Sequence, residues 1–235
     1  MTKGFFITGT DTGVGKTIIT GALILGLRLL GIRACGMKPV ETGCLREGDI
    51  LIPADGMFIK TIAHMEESVY LVSPCCFEKP LAPLTASQIE GKRVDLAKIT
   101  KAYAQLRGTY DAVVIEGIGG LLVPIRQDYS VLDLAKEFGL PVVVVSRPGL
   151  GTLNHTMLTV NCALKAGLPV AGIIINYHYP PEDTIAEETN PETLKQISPV
   201  PVIGIFPYLR DFDTRSIERA VAKNLNLDII KQYLQ

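Results

Sequence analysis

The chain has 235 residues, 23 basic against 24 acidic, with 47% hydrophobic and 20% charged side chains. Length and hydrophobicity suffice to bury the core of one large domain or two small ones without disulfide or metal staples, which excludes disorder over most of the chain. A net charge of −1 and no long basic run give no electrostatic ground for nucleic acid or an anionic membrane as the main partner, so a small-molecule partner is expected. Trp is absent while Gly (22) and Pro (15) are plentiful, which suits tight strand–loop–helix junctions. The five cysteines, Cys35, Cys44, Cys75, Cys76 and Cys162, form no C-x-x-C pair and point to a reducing, cytoplasmic setting. Met1 to Ile7 leads straight into a glycine-rich loop, with no room for a signal peptide. Ile18 to Leu30 is interrupted by Thr20 and Arg28 and falls short of the ~20 residues needed to cross a bilayer.

Short β-branched runs alternate with helical periodicity along the chain. Strands are predicted at Phe5–Thr8, Ala34–Lys38, Ala112–Ile115, Val142–Val145, Val170–Ile175 and Val202–Ile205. Helices are predicted at Gly15–Leu30, about Pro53 to Ala63, Leu96–Leu106, Val131–Phe138 and Leu153–Ala166, with a C-terminal one ending near Tyr233. The continuously apolar strands are what a parallel sheet covered on both faces requires, so the expectation is one α/β domain over residues 1–235. Ser130-Val131-Leu132-Asp133 reads as a capping-box start, and Asn190-Pro191 as a helix with Pro in its first position. Segments 73–83 and 179–183 read as punctuated loops.

The first predicted strand runs into Gly9-Thr10-Asp11-Thr12-Gly13-Val14-Gly15-Lys16-Thr17, followed by a helix, which is the context a phosphate-binding loop needs. Glycines let backbone N–H groups converge on phosphate and the helix start adds its positive end. Lys16 neutralises phosphate charge, and the Thr17 hydroxyl suits Mg²⁺. Gly9 and Gly15 enclose five residues where the usual motif has four, a widening that leaves room for a second ligand beside the terminal phosphate. Partitioning and cell-division ATPases carry a signature lysine that would fall on Asp11. The acidic residue there counts against a regulatory protein-binding switch of that type.

Other chemistry-bearing residues sit at strand ends. Glu116 closes a predicted strand at the end where open α/β sheets bind ligands, and the glycines after it permit close backbone approach. Lys38 ends the second predicted strand, where local sequence leaves open a surface lysine or a group that neutralises developing negative charge. His64, His155 and His178 have no metal-ligand spacing and read as structural or exposed.

With these blocks in view, the chain resembles dethiobiotin synthetase. The loop matches that family's Gly-Thr-Asp-Thr-x-Val-Gly-Lys-Thr; Lys38-Pro39-Val40-Glu41-Thr42-Gly43 matches its Lys-Pro-Val-x-[Ser/Thr]-Gly. Glu116 to Gly120, Gly151 to His155 and Asn176 supply three further blocks in order. The resemblance implies a P-loop NTPase-like fold and an ATP- and Mg²⁺-dependent ligase. That ligase joins 7,8-diaminononanoate and CO₂ into the cyclic urea of dethiobiotin, with ADP and phosphate released. It assigns catalysis to Lys38 and Lys16, and Mg²⁺ to Thr17, Asp55 and Glu116, with Asp49 the rival for Asp55. ATP falls to Gly13, Val14, Gly15, Lys16, Thr17, Ile18, Asp55, Glu116, Gly119, Asn176, Pro207, Tyr208 and Leu209. Substrate falls to Thr12, Lys38, Thr42, Gly119, Leu150, Gly151, Thr152 and Asn154, with the helix start Gly151–Asn154 serving the substrate carboxylate across a homodimer interface. Leu84 stands where the family often has His, and Gly13 where some members carry Glu. The glutamine-dependent cobyrinate amidases share a related loop, but 235 residues leave no space for their second, glutaminase domain.

Overall fold

The computed structural model describes residues 3–234. In chain order the first half comprises β1 (Lys3–Gly9), α1 (Lys16–Leu29), β2 (Ala34–Met37), β3 (Val40–Thr42), β4 (Leu45–Glu47), β5 (Ile50–Ile52), α2 (Ala54–Ile62), α3 (Val69–Val72), β6 (Cys75–Phe77), α4 (Pro83–Glu90) and α5 (Leu96–Thr109). The second half continues with β7 (Ala112–Glu116), β8 (Pro124–Arg126), β9 (Tyr129–Ser130), α6 (Val131–Phe138), β10 (Val142–Ser146), α7 (Thr152–Lys165), β11 (Val170–Asn176), α8 (Ile185–Ile197), β12 (Val202–Phe206), α9 (Thr214–Asn224) and α10 (Leu227–Gln232). Six strands form one parallel sheet in the order β12-β11-β10-β1-β7-β2, and they are the six that the apolar runs predict.

The sheet is covered on both faces. Neighbouring side chains of a strand point to opposite sides, and in β1 Phe5 packs edge-on to Tyr233 while Phe6 lies against Phe138, which in turn meets Tyr103. Burial on both sides explains why β7, β10 and β11 are uninterrupted runs of buried residues. Among the described residues no helix is long and apolar enough to cross a membrane.

Register places the site. Ile7 of β1 pairs with Glu116 of β7, and Met37 of β2 pairs with Ile115, so Lys38, the next residue, comes level with Glu116. Three adjacent parallel strands thus deliver the phosphate loop, Glu116 and Lys38 to one end of the sheet, their carboxyl ends, where such sheets bind ligands.

The capping box at Ser130 and Asp133 is present in both directions. The predicted helix start at Pro191 is not. Pro191 lies inside α8, which starts earlier from a Thr184 side chain that accepts from Glu187 N–H. Pro191 has no N–H for the Glu187 carbonyl, four residues back, and the Tyr177 hydroxyl donates to that carbonyl instead at 3.1 Å. A tertiary partner thereby satisfies the carbonyl that an interior proline leaves free. The segment 73–83 is also more ordered than a loop: Cys75–Phe77 pairs in parallel with Val40–Thr42. The C-terminal helix is two, α9 and α10.

Candidate active site

The phosphate loop wraps the end of β1 and feeds α1, whose first residue is Lys16. Gly15 sits before it at φ +81, and a Cβ there would lie 2.1 Å from Asn176 Nδ2. Gly15→Ala is therefore expected to abolish binding of an ATP analogue, because left-handed backbone costs a non-glycine residue ~1–2 kcal/mol and the clash adds to it. Calorimetric titration checks this, and unchanged affinity would contradict it. Lys16 is buried, and its ammonium donates to the Asp11 carbonyl at 3.2 Å. Burial first, then the Lys38 charge, push its pKa down to about 8. The Asp11 carboxylate, at the position of the partitioning lysine, turns back to accept from Thr12 N–H at 2.7 Å.

Beside this loop lies a cluster of opposite charges. Lys38 Nζ is 2.5 Å from Glu116 Oε1 and 2.8 Å from Asp55 Oδ2, while Thr17 Oγ1 donates to the same Glu116 oxygen at 3.0 Å. Lys38 and Glu116 are 3% and 1% exposed, so neither is solvated enough to stand alone. Burial works against the Lys38 ammonium, but Glu116 and Asp55 outweigh it and hold its pKa above the usual lysine value. For Glu116 burial wins, and its pKa is raised despite Lys38. Asp55 is partly exposed, and there Lys38 outweighs burial and holds the carboxyl below its usual value.

These residues surround a cavity of about 790 Å³ lined by Thr12, Gly13, Gly15, Lys16, Thr17, Ile18, Lys38, Thr42, Asp55, Glu116 and Gly119 among the residues singled out in the sequence. Asp49 is not among them; it lies in the exposed turn between β4 and β5. Val14 is buried behind the loop, its carbonyl accepting from the Asn176 amide at 2.8 Å. Asn176 itself is buried and ties the loop to the end of β11. Pro207 and Tyr208 line a separate cavity of about 620 Å³ past β12, with Leu209 half-buried against the core. Leu150, Gly151, Thr152 and Asn154 lie at the start of α7 and none lines the main cavity. Leu150, Gly151 and Asn154 are exposed, while Thr152 is buried with its hydroxyl 3.2 Å from that of Thr156. Leu84 lines a third cavity, of about 740 Å³, with Ser87, Arg126 and Tyr129.

The donors suit a hard cation. Thr17, Asp55 and Glu116 offer only oxygen, and the buried Glu116 Oε2 has no hydrogen-bond partner among the described residues. Among the described residues no group of three or more His, Cys, Asp or Glu could hold a metal, so a cation here would draw further ligands from phosphate or water, as Mg²⁺ does.

A family model described as an AAA domain matches residues 3–216. The ATP-dependent dethiobiotin synthetase of Thermodesulfovibrio yellowstonii is 44% identical over 98% of this chain and 99% of its own. The chain belongs to the dethiobiotin synthetase family. The family's member from Bacillus subtilis strain 168 is 36% identical over 97% of each chain. Among solved structures, the septum site-determining protein MinD from Pyrococcus horikoshii superposes with a TM-score of 0.53 at 17% identity, over 94% of this chain and 95% of that one. That likeness shows the P-loop fold alone.

Within this member of the dethiobiotin synthetase family, the cavity wall also includes residues that the sequence did not single out. Glu41, Phe58, Pro80, Leu81 and Ala82 face it, and so does His178, which the sequence reads as structural or exposed. Glu41 had a signal, a carboxylate two residues past Pro39 in the same block as Lys38. Pro80 to Ala82 had none, because they reach the cavity only through the pairing of β6 with β3. The buried His178 Nδ1 has no hydrogen-bond partner among the described residues.

Proposed function

We propose that this chain is an ATP-dependent dethiobiotin synthetase that closes a cyclic urea on a vicinal diamine. The observation that carries this reading is Lys38: a second buried lysine, outside the phosphate loop, facing the same cavity as Lys16. A simple nucleotide switch has no need of it, whereas a reaction that passes through an anionic carbamate and a mixed anhydride needs cationic charge on the acceptor side.

One amine of 7,8-diaminononanoate takes up CO₂ and loses a proton, giving a carbamate. A carbamate oxygen attacks the terminal phosphorus of ATP and ADP leaves. The second amine then attacks the carbamoyl carbon, its proton is lost, and phosphate departs as the C–N bond closes the ring. Lys16 neutralises the transferring phosphoryl group, and Lys38 faces the carbamate side. Thr12, Thr42 and Gly119 line the space between. No covalent bond to the protein is required, so positioning and charge supply the acceleration. Mg²⁺, held by Thr17, Asp55 and Glu116, would supply further neutralisation of the phosphates.

The base of ATP is proposed to lie toward Asn176 and Pro207-Tyr208-Leu209. Exposed Leu150 and Leu158 flank the start and outer face of α7, which supports a homodimer in which Gly151, Thr152 and Asn154 meet the substrate carboxylate of the partner's site. A cytoplasmic location, with neither nucleic acid nor membrane as partner, completes the reading. The test is phosphate release with ATP, bicarbonate and the diamine, omitting each in turn. Release is expected only with all three; release without the diamine would overturn the assignment.

A further inference from the structure

Helix α2 carries Asp55 in its first turn, yet its own N-cap residue is Pro53, which has no side chain to bond the free N–H groups. Those groups are nevertheless satisfied from a distance. Glu41 Oε1 accepts from Asp55 N–H at 2.8 Å and Oε2 from Gly56 N–H at 3.0 Å, a bidentate cap delivered from β3. The Ser73 hydroxyl donates to Oε2 at 3.1 Å and fixes the carboxylate from the other side. Both oxygens of this buried side chain are thereby engaged, although Glu41 also borders the cavity.

Gly56 makes the arrangement possible. A Cβ at that position would stand 2.3 Å from Ser73 Oγ, so any larger residue would displace the hydroxyl. Glycine within a helix costs ~0.5–1 kcal/mol relative to alanine, and the chain carries that cost here. The same frame holds the other half of the site. Lys38 N–H donates to the Val72 carbonyl at 2.8 Å, next to Ser73, and Lys38 lies three residues before Glu41. Both members of the Lys38–Asp55 ion pair are thus referenced to one short segment of backbone.

We infer that Glu41 is a positioning residue: it caps α2 so that the Asp55 carboxylate is held at the divalent-cation site. The inference rests on the reading of Asp55 as a Mg²⁺ contact given above. Both Glu41 oxygens are committed to the Asp55 and Gly56 N–H groups and the Ser73 hydroxyl, so it acts through the helix start.

Mn²⁺ binding in the presence of ADP, followed by electron paramagnetic resonance, tests it in the full chain, with Glu41→Ala, Glu41→Gln, Asp55→Ala and the Glu41→Ala/Asp55→Ala double variant. Removing a group that orients a metal ligand costs about 10- to 100-fold in affinity, so Glu41→Ala is expected to weaken Mn²⁺ about tenfold. Glu41→Gln, which keeps one acceptor for the helix, should weaken it less. In the Asp55→Ala background the Glu41 substitution should add almost nothing, since its effect runs through Asp55. In turnover, the Mg²⁺ concentration for half-maximal rate should rise while KM for the diamine stays unchanged. Unchanged Mn²⁺ affinity in Glu41→Ala, or an undiminished effect when Asp55 is already absent, would overturn the inference. If Glu41→Ala does not fold, Glu41→Gln and Ser73→Ala carry the same comparison. Diamine-independent phosphate release by the parent would sink the ligase assignment while leaving the Mn²⁺ comparison intact, so the two failures are distinguishable.

Discussion

Lys38→Ala is expected to release phosphate roughly 100- to 1,000-fold more slowly than the parent, the loss seen when a positioned group that stabilises developing charge is removed. It should also unfold earlier. The substitution leaves Glu116 buried and Asp55 half-buried without their shared cation. The Lys38–Glu116 pair is fully buried, and breaking such a pair costs ~3–5 kcal/mol, while the part-exposed Asp55 adds little. In a chain of this length such a loss lowers the thermal midpoint by roughly 6–20 °C. Millimolar Mg²⁺ should restore part of the lost midpoint, because a divalent cation replaces the missing charge between the same carboxylates. Differential scanning calorimetry with and without Mg²⁺ reads this directly. Near-normal turnover, or a midpoint equal to the parent's, would contradict the placement of Lys38.

Lys16→Met separates activity from stability in the opposite sense. Lys16 is buried, its ammonium donating among the described residues to the Asp11 carbonyl alone, and burial pushes its pKa down to about 8. Its charge is therefore a burden on the unliganded fold that ATP relieves. Turnover of Lys16→Met should fall by about 100-fold or more, while its thermal midpoint at neutral pH stays level or rises, a trade between stability and function common at active sites. The sign of the pH dependence follows from proton counts. Between about 8 and the ordinary lysine value of 10.5 the unfolded chain keeps the Lys16 proton and the folded chain has lost it. The unfolded state then binds more protons, so the penalty this residue places on the fold is full and constant below about 8 and is relieved as pH rises through that window. The midpoint difference between parent and Lys16→Met should therefore shrink as pH rises past about 8. A difference that is constant with pH would show that Lys16 keeps its proton.

The fold was legible because its signals are local. The buried strands need continuous apolar runs, and such runs are visible without knowing what covers them. The loop, Glu116 and Lys38 were legible for the same reason, each standing at the end of a strand, while the strand order and register that bring them together come from the structure. What escaped depends on contacts distant in sequence. Pro191 reads locally as a helix start, and only the Tyr177 hydroxyl on the Glu187 carbonyl makes it tolerable inside α8. That Gly56 must be glycine appears only when Ser73 is seen against it. Glu41 reads as one acidic residue in a conspicuous block, and its task appears only when the Pro53 N-cap proves to be bare. Asp55 reads as the better fit with Asp49 its rival, and the hairpin between β4 and β5 carries Asp49 away while Asp55 lies 2.8 Å from Lys38.

The central claim is that the bond energy of ATP is used to close a ring on CO₂. The most direct test supplies the chain with ATP, Mg²⁺, the diamine and ¹³C-bicarbonate, then identifies the product by mass spectrometry alongside released phosphate. One labelled cyclic urea per phosphate, with the label in its carbonyl carbon, is the predicted result. Phosphate released without labelled product, and stimulated instead by a protein or a membrane surface, would contradict it.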